Sequence, residues 1–184
     1  ADDLHLLAVG GAAELVTGLT GAEHGVLQHA ALDDLAGQQS VVSLLDEILT
    51  DTVLTDEALK LLKEEDVDFC FLYLADTDDR GGHKVGWMSQ EYLKRISIAI
   101  DNVKRVIDAF GDKYSVIVMT DHGGHDRTHG STIPEDMIIP FFFYGDRFEK
   151  GKETDNLSLL DIAPTIAALM DIAPDEEWEG RSII

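Results

Sequence analysis

Cysteine is nearly absent from this chain. The one present, Cys70, lies inside the apolar run of residues 67–74, so no disulfide can form within the chain and the thiol is expected as a small buried hydrophobe. Basic residues are scarce too: 14 Lys and Arg stand against 36 Asp and Glu, a formal net charge of −22. Such a surface repels nucleic acid and anionic membranes, which are bound through clustered Lys and Arg. It also disfavours anionic substrates unless bound cations reverse the local field. Adaptation to high salt would give the same balance, and composition does not separate the two. No apolar stretch approaches the roughly 18 residues of a membrane span. The start, Ala1-Asp2-Asp3, has neither a basic segment nor an apolar signal core, so the expectation is a cytoplasmic protein with no nucleic-acid and no membrane partner. It also lacks a Met, which suggests processing or a fragment. There is no internal repeat and no low-complexity tract.

What is present is a globular composition. Hydrophobic residues make up 45% and charged residues 27%, which argues against disorder, and 184 residues correspond to one domain spanning 1–184. From about residue 55, strand and helix patterns alternate. Thr55 can cap a helix with Asp56 and Glu57 in its first turn, running to about residue 65. Residues 67–74 form an apolar run typical of a buried parallel strand. Ser89 can cap a long helix to about Phe110, with Leu93, Ile96, Ile100, Val103, Ile107 and Phe110 recurring at three and four. Residues 114–120 and 138–144 are expected as further buried strands. A last helix covers roughly 160–170, with Pro164 tolerated only in its first turn. This order predicts an α/β fold: a mostly parallel sheet with helices on both faces. Ligands of such sheets gather outside the carboxyl ends of the strands, where residues 75–86 and 121–130 fall.

Those two loops carry the chemistry. Thr120-Asp121-His122-Gly123-Gly124-His125-Asp126-Arg127-Thr128-His129-Gly130 holds three of the seven histidines within eight residues, flanked by glycines that let backbone approach an ion. Asp121 and His122 leave a strand end in succession and His129 returns from the loop. Oxygen and imidazole donors together suit zinc or manganese better than calcium or magnesium. His125 is either a supporting or substrate contact or a plain loop histidine. In Asp76-Thr77-Asp78-Asp79-Arg80-Gly81-Gly82-His83, a carboxylate four residues before a histidine can chelate one ion from two sides. Counting back from His83 selects Asp79; counting forward from the strand favours Asp78. Asp79 is the choice adopted.

Several pieces together resemble the C-terminal part of the alkaline phosphatase superfamily, in particular its type I phosphodiesterase/nucleotide pyrophosphatase, sulfatase-like branch. They are Asp79-Arg80-Gly81-Gly82-His83, Asp121-His122-Gly123-Gly124, His129-Gly130, Pro134-Glu135-Asp136-Met137, Leu160-Asp161-Ile162-Ala163-Pro164-Thr165 and the closing Trp178-Glu179-Gly180-Arg181-Ser182. The match covers about residues 67–184. The resemblance implies two side-by-side divalent ions, zinc or manganese. Asp79, His83 and His129 would hold one, and Asp121 and His122 the other, with a further carboxylate from the domain's first strand. It implies a Thr or Ser nucleophile and a small anionic phosphate or sulfate ester as substrate.

The chain departs from that pattern at its start. Residues 1–30 show no strand ending in Asp followed by a nucleophile turn. The stretch Leu15-Val16-Thr17-Gly18-Leu19-Thr20-Gly21-Ala22-Glu23-His24-Gly25-Val26 resembles the segment just after the family's nucleophile, which would place that position near Ala8. Thr17 and Thr20 are the substitutes on offer, and no catalytic nucleophile is identified. The expectation is therefore a fold lacking N-terminal strands, truncated or shortened on that side. The functional expectation is a phosphoric ester hydrolase of the phosphodiesterase or phosphatase kind. The alternatives are an inactive metal-binding fragment without the nucleophile, and a phosphomutase, which would need basic residues for a second phosphate where only Arg80, Arg127 and Lys84 stand nearby. Substrate and oligomeric state stay open.

Overall fold

Side chains alternate across a β-strand, and in two buried strands of this protein that alternation divides the core into two layers. The computed structural model describes residues 50–184 throughout and, before them, the backbone of three strands. In order, the elements are β1 (His5–Val9), β2 (Gln28–Ala31), β3 (Ser40–Leu44), α1 (Asp51–Glu64) and β4 (Phe69–Leu72). A π-helical turn (Thr77–Gly82) then runs into the single turn α2 (His83–Val85), followed by α3 (Gln90–Phe110) and β5 (Tyr114–Met119). After these come α4 (Pro134–Met137), β6 (Phe141–Tyr144), a 3-10 turn (Leu159–Asp161) and α5 (Ile162–Leu169). The sheet order is β2-β3-β4-β1-β5-β6, parallel from β3 to β5, with β2 and β6 antiparallel at the two edges.

Cys70 and Leu72 of β4 and Tyr114 and Val116 of β5 face one layer, where Leu54, Ala58 and Leu62 of α1 and Val106 of α3 cover them. Phe69, Phe71, Ile117 and Met119 face the other and meet Ile162, Ile166 and Leu169 of α5. The expected architecture, a mostly parallel sheet with helices on both faces, is thus observed. Each fully buried Leu or Ile contributes about 1.5–3 kcal/mol relative to exposure. Cys70 is wholly buried, as expected, and burial pushes its thiol up to about 12. Among the described residues no helix is long and apolar enough to cross a membrane.

Several boundaries differ from expectation. Helix α1 begins one turn earlier: Thr50 is the cap, its hydroxyl accepting the Val53 N–H, and Thr55 is buried inside the helix with its hydroxyl donating to the Asp51 carbonyl at 2.7 Å. Thr50-Asp51 offers the same cap and first-turn acid, and the earlier start brings Leu54 onto the buried face. Residues 138–144 do not form a buried strand. Their strand, β6, is an antiparallel edge on which Phe141 and Phe143 turn inward while Phe142 stays 64% exposed. Helix α5 does carry Pro164 in its first turn, after a capping box between Ser158 and Asp161. The absence of N-terminal strands expected from the sequence does not extend to β1, β2 and β3.

Two features place the site. Leu72 of β4 and Val118 of β5 both lie in register with Val9, so the loops after β4 and β5 leave the same edge of the sheet. The buried carboxylate of Asp51, first residue of α1, accepts the Asp76 N–H at 3.0 Å and so ties the helix start to the loop after β4. Burial, with the Asp76 charge adding and Arg80 opposing, pushes the Asp51 carboxyl up to about 6. A carboxyl raised from 3.8 to about 6 on folding binds its proton more tightly when native, so its charge opposes folding above about pH 6, and that opposition fades as pH falls from 6 towards 3.8. Asp51→Asn keeps an acceptor oxygen for Asp76. It should melt above the wild type at pH 8, with the gap closing by pH 4 in calorimetry; equal melting at both would show that the native charge is fully compensated.

Candidate metal centre

The loop after β4 is wound wider than an α-helix. The Asp78 carbonyl accepts the His83 N–H, a five-residue closure. In an α-helical turn, residues four apart share a face; in this wider turn the pair is Asp78 and His83, with Asp78 Oδ1 3.6 Å from His83 Nε2. Asp79, expected from the four-residue spacing, is exposed and outside the cluster. Such π-turns frequently mark functional sites.

From the end of β5 come Asp121 and His122, and His129 folds back so that its ring stacks on that of His122, 3.7 Å between centroids and 12° from parallel. Asp78, His122 and His129 each offer one ligand atom, all within 4.8 Å of one another. The His83 ring lies 5.1 Å from that of His129, and Asp121 Oδ2 lies 3.7 Å from His122 Nε2. Four of the five loop positions expected from the sequence, His83, Asp121, His122 and His129, thus gather at one edge together with Asp78, while Asp79 lies exposed.

The donor chemistry fits a divalent cation. Asp78 Oδ1 is buried and has no hydrogen-bond partner among the described residues, and a buried carboxylate oxygen without a donor is costly unless a cation meets it. His83 Nδ1 lies 3.2 Å from the Arg127 carbonyl, and His122 Nδ1 2.7 Å from the Gly123 carbonyl. A carbonyl only accepts, so these contacts assign the proton to Nδ1 and leave each Nε2 lone pair free for a metal. Burial holds the Asp121 carboxyl above the usual range, His122 opposing and the Asp78 charge adding.

Trp87, which is not among the residues expected at the site, locks the two loops together. Its ring lies against Gly82 on one loop and Gly124 on the other, so closely that a Cβ on either glycine would sit 2.3 Å or 2.2 Å from it. The Trp87 main-chain N–H donates to the Asp126 carbonyl at 2.8 Å, and the ring meets those of His83 and His129 edge-on. An aromatic four residues after His83 in a Gly-rich loop was the available signal. His125 is no free loop histidine: its Nδ1 bonds the buried Asp136 carboxylate at 2.8 Å. That bond raises the His125 imidazolium above its ordinary value and holds Asp136 down at about 2.

On the nucleophile side, Ala8 lies inside β1, paired with Phe71 and Ile117, and so belongs to a strand rather than a turn. From His5 to Ala13 the chain has no carboxylate and no hydroxyl, so the end of β1 supplies no first-strand Asp. Thr17 and Thr20 lie outside the described residues.

Residues 10–174 match the metalloenzyme superfamily. The chain belongs to that superfamily. It is 33% identical over 138 residues to the 2,3-bisphosphoglycerate-independent phosphoglycerate mutase of Clostridioides difficile, covering 71% of this chain and 26% of that protein. It is 27% identical over 133 residues to the phosphopentomutase of Clostridium beijerinckii, covering 70% and 32%. The chain thus spans about a quarter to a third of these relatives. Among solved structures, an alkaline phosphatase superfamily protein of Vibrio parahaemolyticus superposes with a TM-score of 0.57 at 15% identity, over 98% of this chain and 48% of that one. A second, i-CgsB in complex with k-i-k-neocarrahexaose, superposes with 0.58 at 16%, over 99% and 54%. Both show the alkaline phosphatase-like fold. The relatives correct the finer expectation: they are named as mutases, so neither the phosphoric ester hydrolase nor the nucleotide pyrophosphatase branch is upheld.

Gly124→Ala would drive a methyl into the Trp87 indole, and overpacking of this kind costs about 1–3 kcal/mol. In a Trp178→Phe background, the Trp87 emission should shift and the melting temperature fall; unchanged emission would mean that the indole is not wedged between the loops.

Proposed function

We propose that this chain supplies the metal-holding part of a phosphoryl-transfer site of the phosphomutase kind, acting on a small anionic phosphate ester. The observation that carries the reading is the unpartnered Asp78 oxygen facing His122 and His129 in a chain whose relatives are phosphomutases. Asp78, His83 and His129 would hold one divalent cation, and Asp121 and His122 a second beside it. Asp79 is the alternative to Asp78. Zinc and manganese are the ions that mixed carboxylate and imidazole donors favour. Bound there, they would neutralise charge on phosphoryl oxygens and lower the pKa of an attacking hydroxyl.

The chain's own residues orient and charge the site. The Arg127 and Gly123 carbonyls fix the His83 and His122 tautomers. Trp87 meets the His83 and His129 rings edge-on and holds the two loops together. Arg80 is committed to Asp76, at 2.6 Å, and so is poorly placed to take a second phosphate. In a chain carrying −22, cations at this cluster would provide the positive potential that draws an anionic ester in.

A second reading, metal binding without turnover, is favoured by β1, which offers neither carboxylate nor hydroxyl at its carboxyl end.

Metal content by mass spectrometry tests the ligand set. Asp78→Asn and His129→Ala should each weaken zinc and manganese binding by about tenfold or more, the scale of losing one ligand at about 1.4 kcal/mol per decade, while Asp79→Asn leaves it nearly unchanged. Loss with Asp79→Asn instead would return Asp79 to the site. Phosphorus NMR of the metal-loaded protein with a phosphoglycerate, and separately with a pentose phosphate, tests the reaction. The expected result is migration of the phosphate without free phosphate; release of free phosphate would speak for hydrolysis. Metal bound with neither reaction would favour the second reading.

A further inference from the structure

The Pro134-Glu135-Asp136-Met137 segment has no part in the metal cluster, yet it bonds the loop that carries His122 and His129 at four residues, Gly123, Gly124, His125 and Ser131. The main-chain carbonyl of Asp136 accepts the Gly123 N–H, and that of Glu135 accepts the Gly124 N–H, both at 2.8 Å and immediately after His122. The Asp136 carboxylate accepts from His125 Nδ1 at 2.8 Å in the middle of the loop, and from the Ser131 N–H at 2.8 Å, two residues beyond His129. Bonds to one residue therefore follow His122 directly and bracket His129 between His125 and Ser131. A Cβ at Gly123 would stand 2.1 Å from the Glu135 carbonyl, so only glycine permits this approach.

On its other side the loop is held by Trp87, whose indole lies against Gly124 and whose main-chain N–H donates to the Asp126 carbonyl. Within it, only the reciprocal His125–Thr128 backbone pair closes a turn, and Asp126 adopts a positive φ of 48° there. Three glycines among residues 123–130 leave the backbone otherwise free. The Asp136 side chain is 1% exposed against 33% for His125, so the carboxylate is the anchored end of the pair. We propose that Asp136, with His125 as its partner, is the positioning residue that sets the spacing of the His122–His129 ligand pair. This rests on the reading of that pair as metal ligands. Partners one shell out from a metal typically change its affinity 10–100-fold.

The test is the affinity of the purified chain for manganese and zinc alone, by competition with a chromophoric chelator, together with amide exchange of the metal-free protein. His125→Ala and Asp136→Ala should each weaken binding about tenfold or more. His125→Asn, whose amide nitrogen can replace Nδ1, should recover most of the loss. The double Ala variant should be no worse than Asp136→Ala, because the two residues act as one unit. In Asp136→Ala the Gly123 and Ser131 amides should exchange faster without metal. Unchanged affinity in a folded Asp136→Ala chain, or losses that simply add, would overturn the proposal. If Asp136→Ala does not fold, His125→Ala against His125→Asn decides it alone. A wild type that binds neither metal would sink the metal reading; the Gly123 and Ser131 amides would then decide the bracing separately, and unchanged exchange would overturn it.

Discussion

Trp87 packs its indole between the backbones of Gly82 and Gly124, and that contact makes two separate loops into one surface. The loops leave different strands, β4 and β5, and neither has a regular ladder to hold it. With the indole in place, His83 and His129 are brought ring to ring and the Asp78 carboxylate is turned towards the histidines. Both glycines are required by space rather than by backbone angle, since no side chain fits where the indole lies. The remaining contacts refine a geometry that this wedge permits: Asp51 holding Asp76 on one side, Asp136 holding the histidine loop on the other.

The electrostatics run in the opposite direction. A chain with 36 acidic residues gathers Asp78 and Asp121 at one sheet edge, and burial raises the energy of the charged Asp121 carboxylate while one Asp78 oxygen is left without a hydrogen-bond donor. Nearby Lys or Arg would relieve this, but Arg80 is engaged by Asp76. Histidines with free Nε2 lone pairs add donors rather than charge. A small divalent cation is the species that satisfies all of these groups together, and membership of the metalloenzyme superfamily agrees with it.

Much of this was legible in the residues. The burial of β4 and β5 on both faces, the Ser89 cap of α3, the Pro164 position in α5 and the clustering of Asp121, His122 and His129 follow from local pattern. What was not legible depended on geometry that spacing does not carry. The choice between Asp78 and Asp79 turns on a helical turn one residue wider than usual, which sequence periodicity does not announce. The exposed side of β6 and the early start of α1 were decided by which neighbours exist in space. Trp87 and Asp136 look ordinary in sequence because their importance lies in what they touch. The mutase relationship is hidden in the sequence because the scarcity of basic residues argues against a second phosphate site.

Strand β1 lies at the centre of the sheet, parallel to both β4 and β5, with His5 opposite Tyr114. Its partners therefore come from segments synthesised much later, and the middle of the sheet closes only by joining parts of the chain that are far apart. Long-range parallel pairing is slow because loop closure costs entropy before any contact repays it. The edge from which both ligand loops emerge takes its register from that pairing. Ligand geometry should thus be among the last features to mature as the chain folds, and metal uptake would act as a clock for completed folding rather than a nucleus for its beginning.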